Sequence, residues 1–350
     1  MAIYFAGMIR VCPVKEFLGI AHPVIDVRSP SEFGQGHIPG ALNMALFTDA
    51  ERAVVGTLYK QKGRDVAMLE GFRIVGPKLT SIVEEAKRLA PDGRIRVHCW
   101  RGGERSGSVA WLLDKAGFSE VRTLKGGYKA FRNHVLADLG GSFDLAIVGG
   151  YTGTGKTELL SHLRDLGQQV IDLEALANHK GSSYGAIGEE PQPTTEHFEN
   201  LLWSAIQLVD TKKVIWLEDE SQMIGRVKIP DDLFRKMRRA MCYFADVPRE
   251  ERAARLVADY GKYPKELLAE ATKRIEKRIG PQHCKTALQA LENDDLFTVA
   301  MITLTYYDKT YLHGLEKRDP VLVIRATAST NDMLAIAKNA VEEHGKRKHD

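Results

Sequence analysis

The chain has 350 residues, 44% hydrophobic and 27% charged, with a formal net charge of +3. That length accommodates two or three domains with sizeable cores, and the mildly basic balance permits an anionic partner such as RNA without demanding one. Cys12, Cys99, Cys242 and Cys284 are far apart with no C-x-x-C pair, which argues against a disulfide framework or structural metal and for a reducing cytoplasm.

Near the N-terminus a lone Arg10 precedes no clear hydrophobic core with a cleavage site, so no signal peptide is expected. "PVIDVRS" reads as a buried strand and "SIVEEAKRLA" as a helix. "RIRVHC" reads as a second strand, followed by the helical "SGSVAWLLDKAG", the strand "EVRTLKGG" and a helix through "YKAFRNHVL". Such alternation predicts a parallel sheet covered by helices. The pattern restarts after the Gly-containing joint "ADLGGS", Ala137 to Ser142, which divides the chain into residues 1–138 and 139–350.

The second part opens with "FDLAIVGGYTGTGKTELLSHLRDLG", a strand, a Gly-rich loop and a helix. "QQVIDLEAL" and "KKVIWLEDE" supply further strands, with the helical "TEHFENLLWSAIQLV" before the latter. After Pro248 the chain becomes helical and charged. "DPVLVIRATA" reads as a late strand, and "TNDMLAIAKNAVEEHGK" as a closing helix capped by Thr330 or Asn331, before a frayed "KRKHD". The run "LFTVAMITLTYY" is too short to span a bilayer, so no membrane partner is expected. The fold class is therefore α/β, with a phosphate-loop domain carrying a helical C-terminal extension.

"GYTGTGKT", Gly150 to Thr157, matches G-x-x-x-x-G-K-[ST] between an apolar strand and a helix. Gly150, Gly153 and Gly155 let backbone N–H groups turn inward, Lys156 adds a point charge, and the helix dipole favours phosphate oxygens. Thr157 could bind Mg²⁺, with Glu218 and Asp219 at the end of "VIWLEDE" as candidate carboxylates. The loop alone leaves nucleotide and other diphosphates open, and the blander alternative is a Gly-rich turn.

"VHCWRGGERS" places Cys99 at the end of a strand before a Gly-rich loop and a helix. Loop N–H groups, the helix dipole, Arg101 and Arg105 would all favour a thiolate, whereas the other cysteines have the surroundings of packing residues.

Residues 1–140 resemble the rhodanese domain through "VIDVRSPSEFGQGHIPGALNM", Cys99 and "LKGGYKAF". Rhodaneses carry sulfane sulfur on a cysteine, but their usual loop has four residues between Cys and Arg, and this one has five. Cys-x5-Arg preceded by a histidine is the phosphatase spacing, so a rhodanese-fold phosphatase is the alternative. An extra residue widens the ring of N–H donors and suits a tetrahedral oxyanion better than a lone sulfur.

The whole chain resembles the tRNA 2-selenouridine synthase family. The motifs are "DAERAVVGTLYKQKG", "CWRGGERS", "GGYTGTGKT", "DLEALANHKGSSYG", "FENLL", "WLEDESQMIG" and "YYDKTYLHGLEK". The resemblance implies exchange of sulfur for selenium in wobble 2-thiouridine of tRNA, with selenophosphate as donor and an S-geranyl intermediate made from geranyl diphosphate. It implies no covalently bound cofactor, and a selenophosphate-producing enzyme as a further partner. It makes Cys99 and Arg105 catalytic, with Arg101, Gly102, Gly103, Glu104 and Ser106 forming the selenophosphate loop. Gly150, Gly153, Gly155, Lys156 and Thr157 would hold the diphosphate. Gly71, in "LEGFRIV", matches a family glycine that either allows close ligand approach or makes a plain turn.

For a tRNA substrate, Arg235, Lys236, Arg238 and Arg239 in "FRKMRRA" are candidate contacts, as is "KRIEKR"; the bland alternative is a solvated helix face. His179, Lys180, Ser182 and Ser183 in the polar "HKGSSYG" are better placed. Tyr306, Tyr307 and Tyr311 could stack on a base, though such tyrosines more often pack a helix.

Overall fold

A computed structural model describes residues 8–327, 329 and 332–347. The chain divides into two compact units, Met1–Asp138 and Leu139–Asp350. In the first, strands β1 (Met8–Cys12), β2 (Val24–Asp26), β3 (Leu42–Asn43), β4 (Arg94–His98) and β5 (Glu120–Leu124) form a parallel sheet in the order β1-β5-β4-β2-β3. Its helices are α1 (Val14–Gly19), α2 (Pro30–Gln35), α3 (Asp49–Lys62), α4 (Arg64–Val75), α5 (Leu79–Leu89), α6 (Glu104–Lys115) and α7 (Gly127–Leu139).

The α-helices form where caps and spacing agree. Ser29 with Glu32, and Thr48 with Glu51, make reciprocal capping boxes at the starts of α2 and α3. Helix α5 turns Ile82 and Ala86 onto the sheet, where they meet Ile25, Ile95, Val97 and Val121. Those sheet residues are almost wholly buried; each such aliphatic side chain contributes roughly 1.5–3 kcal/mol relative to exposure.

The second unit contains β6 (Leu145–Gly150), α8 (Lys156–Asp165), β7 (Gln169–Val170), α9 (Leu173–Ala177), α10 (Thr195–Gln207) and β8 (Ile215–Glu218). A short antiparallel pair, β9 (Met223–Ile224) and β10 (Val227–Lys228), precedes α11 (Asp231–Arg239) and β11 (Met241–Asp246). There follow α12 (Arg249–Tyr260), α13 (Lys265–Arg274), α14 (Glu276–Ile279), α15 (Pro281–Glu292), α16 (Leu296–Leu315), β12 (Val323–Thr327) and α17 (Met333–Arg347). The parallel sheet runs β12-β11-β6-β8-β7.

The expected α/β architecture is thus present in both halves, and the helical extension, α13 to α16, in the second. Strand β11, next to β6 in the sheet, is among the elements not read from the sequence, as are the edge strands β1 and β3 and the short pair β9 and β10. "MCYFAD" is continuously apolar because both its faces are covered, so it lacks the alternation that marks a half-buried strand. "QQVIDLEAL" is only in part a strand: Asp172 caps α9 by accepting from the Ala175 N–H, and the chain turns helical there. The run "LFTVAMITLTYY" opens the 20-residue α16, started by the Asp295 cap. No helix among the described residues is long and apolar enough to cross a membrane. The expected caps Thr330 and Asn331, and residues 348–350 of the tail, lie outside the described residues.

Candidate functional site

In the first unit Cys99 follows the last residue of β4, and the loop runs through Gly103, which caps α6. The thiol is buried, with Sγ 3.2 Å from the Ser106 hydroxyl one turn into α6. Ser106 also lies 3.2 Å from the Gly103 carbonyl, which it donates to. The Ser106 hydroxyl and the N-terminus of α6 thus both lie beside the thiol. Arg101, Gly102, Gly103 and Glu104 are exposed at the rim, where a ligand can reach them.

The loop rests on the turn between β5 and α7. Tyr128 and Lys129 donate their N–H groups to the Cys99 and Trp100 carbonyls at 2.8 and 3.0 Å. Gly102 (φ 67°) and Gly127 (φ 60°) are both left-handed and nearly touch, so side chains are excluded from both. Beneath them, buried Arg28 chelates Asp26 at 2.6–3.0 Å and covers the Tyr128 ring at 3.8 Å from its centroid. The "DVR" motif therefore builds the floor under the cysteine loop.

Arg105 is not free over the loop. Its guanidinium donates twice to Glu32, at 2.5 and 3.1 Å. Glu32 also closes the α2 capping box through the Ser29 N–H. Burial pushes the Glu32 carboxyl up, but Arg105, the Ser29 N–H and Arg52 together hold it below the ordinary range. Glu104 pairs with Arg64 at 2.7 Å. His98 is fully buried beside Asp26 (Nε2–Oδ2 3.7 Å), and burial lowers it to about 4, so it is neutral at physiological pH.

In the second unit the phosphate loop links β6 to α8, with Gly153 (φ 80°) and Gly155 (φ 95°) left-handed. It is braced from behind: Arg252 donates to the Thr152 carbonyl at 3.1 Å while clasping Asp308 at 2.9 Å with two nitrogens. The Tyr311 hydroxyl accepts from the Gly150 N–H at 3.1 Å and donates to Asp219 at 2.8 Å. The loop lines a cavity of about 2070 Å³ that also takes in Thr157, Glu174, His179, Glu220 and Arg255.

Lys156 faces carboxylates. Glu220 lies 3.7 Å from its Nζ; burial works against the Lys156 charge, but Glu220, Glu174, Glu218 and Asp219 together raise its pKa. Burial raises Glu174 well above the ordinary carboxylate range, and the neighbouring Glu220 pushes in the same direction. Gly181 (φ 68°) comes so close that a Cβ there would lie 2.7 Å from a Glu174 oxygen and 2.9 Å from one of Glu220. Glu174 and Glu220 were not singled out in the sequence, where they are 46 residues apart and look like two of many acids.

Several expected site residues have protein partners of their own. Asp219 accepts from Tyr311 and from Arg238 and Arg318, and Glu218 accepts from the Glu174 N–H at 2.7 Å while burial raises it to about 8. Of the acids at this strand end, Glu220 is the one turned to Lys156. Among the described residues no cluster of three or more His, Cys, Asp or Glu is placed to hold a metal ion. Gly71 does not make a turn: it lies inside α4, where a Cβ would meet the Phe47 ring at an ordinary 3.7 Å.

The basic run on α11 does not form one solvated stripe. Arg235 and Arg239 are exposed, Arg235 beside Asp232. Lys236 instead donates to the Gly140 and Gly141 carbonyls and covers the Phe143 ring, and Arg238 reaches Asp219 and the Gly314 carbonyl. His179 is buried with Nδ1 unpartnered on the cavity wall, and Lys180 pairs with Glu189 at 2.8 Å. Ser182 accepts from the Tyr184 N–H, and the Ser183 hydroxyl donates to the Ala271 carbonyl, so these serines shape the loop. Tyr307 and Tyr311 are bound into the fold through Ser183, Gly150 and Asp219, while Tyr306 meets Arg278 at 3.0 Å on the cavity wall.

Comparison with known proteins places both units. Residues 14–134 match the rhodanese-like domain family, and residues 143–343 match the family described as the tRNA 2-selenouridine synthase AAA domain. A tRNA 2-selenouridine synthase of Sulfurovum sp. is 35% identical over 348 residues, covering 87% of this chain and 92% of that protein. Proteins of the same name from Bdellovibrio bacteriovorus and Shewanella denitrificans are 33% and 38% identical. They cover 87% and 72% of this chain, and 92% and 70% of their own lengths.

Proposed function

The chain belongs to the tRNA 2-selenouridine synthase family, and from that premise we propose that it is a cytoplasmic enzyme that replaces the sulfur of wobble 2-thiouridine in tRNA by selenium. The selenium donor in this reading is selenophosphate, delivered by an enzyme that makes it, and the reaction passes through an S-geranyl intermediate.

The chemistry explains the need for two sites. A thiocarbonyl sulfur is a poor leaving group. In the first step it attacks the C1 carbon of geranyl diphosphate; the C–S bond forms, the C–O bond breaks, diphosphate departs, and the base loses its N3 proton. In the second step the selenium of selenophosphate attacks C2, and the sulfur leaves as geranyl thiol after taking up a proton. Water then cleaves the P–Se bond, releasing phosphate and leaving selenouridine.

Lys156, Thr157 and the loop glycines would bind and draw off the diphosphate. Thr157 and Glu220 are the groups suited to a magnesium ion there, which would add positive charge on the departing oxygens. The selenation step is assigned to the Cys99 loop, where Arg101, Gly102, Gly103 and Arg105 would bind the phosphate portion of the donor beside the thiol.

The observation that carries the reading is the buried Cys99 thiol at the foot of a five-residue loop, beside the Ser106 hydroxyl and the α6 N-terminus. It suits an oxyanion that carries its chalcogen. The test is mass spectrometry of wobble nucleosides after adding 2-thiouridine tRNA with geranyl diphosphate, and then selenophosphate. S-geranyl nucleoside followed by selenouridine is expected, the second step being lost in Cys99→Ser; selenouridine at the normal rate in that variant would remove Cys99 from the reaction. The Cys-x5-Arg spacing favours a second reading, a phosphatase. It predicts Cys99-dependent turnover of p-nitrophenyl phosphate without any change in the tRNA.

A further inference from the structure

In the basic run "KRIEKR", Arg274 ends α13 and Arg278 lies in α14. Both line the large cavity, whereas Lys273 and Lys277 of the same run are not on its wall. Arg274 donates to the Ser183 carbonyl at 2.9 Å; burial, and then the Arg274 charge, lower the pKa of His179 on the same wall. Arg278 donates to the Tyr306 hydroxyl at 3.0 Å and stands 5.8 Å from the centroid of that ring. Lys156, Lys180, Arg238 and Arg255 around the cavity each pair with a carboxylate. Among the described residues Arg274 and Arg278 do not; their polar partners are a carbonyl and a hydroxyl, so their charge is uncompensated.

The wall continues along α16. Thr310 and Gly314 follow Tyr306 at steps of four residues, on one face of the helix, and all three line the cavity. That strip is roughly 12 Å long at 1.5 Å per residue. A Cβ on Gly314 would meet nothing within 4 Å, so the strip is open at that end. Lys317, just past the helix, adds a further exposed cation on the cavity.

Size and charge together select the occupant. The cavity of about 2070 Å³ is at least twice the roughly 300–1,000 Å³ of a pocket for a small molecule. A diphosphate on the phosphate loop would leave most of it empty. Uncompensated guanidiniums favour phosphate oxygens, and an aromatic ring with a guanidinium at its edge favours the face of a base. Phosphates and bases repeated along a strip describe a single-stranded nucleic acid.

We propose that this wall receives the single-stranded anticodon loop of the tRNA, with Arg274 and Arg278 on its backbone phosphates and Tyr306 stacked on one of its bases. This rests on the reading of tRNA as the substrate. The run "KRIEKR" thus divides by face: its two arginines serve the RNA, and its two lysines are solvated.

The experiment is fluorescence anisotropy of the full chain with a labelled anticodon stem-loop RNA carrying 2-thiouridine, at a series of salt concentrations, with calorimetry of pyrophosphate and ATP binding alongside. Arg274→Gln and Arg278→Gln should each weaken RNA binding several-fold. Each should also reduce the slope of log affinity against log salt by about 0.7, the value for one single-strand phosphate. Tyr306→Leu should weaken binding roughly fivefold or more with the slope unchanged, and Tyr306→Phe, which keeps the ring, should recover most of that loss. Lys273→Gln and Lys277→Gln should keep the wild-type affinity and slope. Pyrophosphate binding should stay at the wild-type level throughout, which shows that each variant is folded; where Arg274→Gln does not fold, Arg278→Gln and the Tyr306 pair carry the test. Wild-type RNA binding in the arginine and Tyr306 variants, or an equal loss in the lysine variants, would overturn the proposal. Loss of ATP binding with RNA binding intact would also overturn it and give the wall to a free nucleotide. A wild-type chain that binds no 2-thiouridine RNA would instead reject the substrate reading, and the proposal with it.

Discussion

Gly102 and Gly127 occupy each other's side-chain space: a Cβ on Gly127 would lie 2.4 Å from the Gly102 nitrogen, and one on Gly102 would lie 3.0 Å from the Gly127 nitrogen. The cysteine loop and the β5–α7 turn are therefore shaped against each other, which explains why "RGG" and "KGG" occur in one unit. Gly127→Ala adds a left-handed alanine, costing about 1–2 kcal/mol, and also a contact at 2.4 Å with the Cys99 carbonyl. The neighbour there is backbone and cannot move aside cheaply. The expected outcome is a lower melting temperature and loss of selenation, with pyrophosphate binding unchanged. Full selenation in Gly127→Ala would show that the loop tolerates displacement.

The pair between Arg105 and Glu32 leads to a graded prediction. Glu32 takes two guanidinium donors and fixes the plane of Arg105, leaving the remaining N–H groups to meet an oxyanion. Glu32→Gln keeps the shape but weakens the fixing, so KM for selenophosphate should rise several-fold with a smaller change in kcat. Arg105→Lys removes the planar fork altogether and should cost roughly tenfold or more in kcat/KM. Steady-state kinetics on S-geranyl tRNA separates the two variants; equal effects would mean that Glu32 does not act through Arg105.

His98 supplies a prediction about pH. Burial lowers its folded-state value from 6.5 to about 4, so between those limits the unfolded chain binds the extra proton. Its contribution to stability is present above pH 6.5 and is lost as the pH falls through about 4, amounting to on the order of 3 kcal/mol. Proton NMR titration of the His98 ring should give an apparent pKa near 4, and His98→Asn should flatten the acid limb of the stability profile. A ring titrating between 6 and 7 would contradict the buried, neutral imidazole.

Gly71 tests the difference between a residue in a recurring motif and a residue at a site. It lies within α4 with room for a methyl group against Phe47. Glycine inside a helix is worse than alanine by roughly 0.5–1 kcal/mol. Gly71→Ala should raise the melting temperature slightly and leave both tRNA-modifying steps at wild-type rates. A fall in either rate at unchanged stability would return Gly71 to the substrate.

Legibility in the sequence follows the range of each interaction. The phosphate loop and the cysteine loop are local, with strand, glycines, charge and helix all inside about ten residues, so their place in the fold could be read directly. Glu32 meets Arg105 across 73 residues and Glu174 meets Glu220 across 46, and in each case an ordinary acid gains its role only when the sheet brings it home. Charge runs misled for the opposite reason. Lys236 and Arg238 look solvated in "FRKMRR", yet the turn of α11 sends one to the Gly140–Gly141 carbonyls and the other to Asp219.

Gly181 allows the two chemical steps to be separated by one methyl group. Its φ of 68° and its contacts with Glu174 and Glu220 mean that alanine would be strained and would press on the acids that face Lys156. Carboxylate oxygens 2.7 and 2.9 Å from the new Cβ must withdraw, and the balance of charge around Lys156 shifts with them. Gly181→Ala should therefore slow S-geranylation of 2-thiouridine tRNA roughly tenfold or more, by the loss of one well-placed electrostatic contact. Supplied with tRNA that already carries the S-geranyl group, the same variant should convert it to selenouridine at the wild-type rate, because Cys99 belongs to the other unit. If both steps slow together, the acid pair and Lys156 act on the tRNA as a whole and not on the diphosphate.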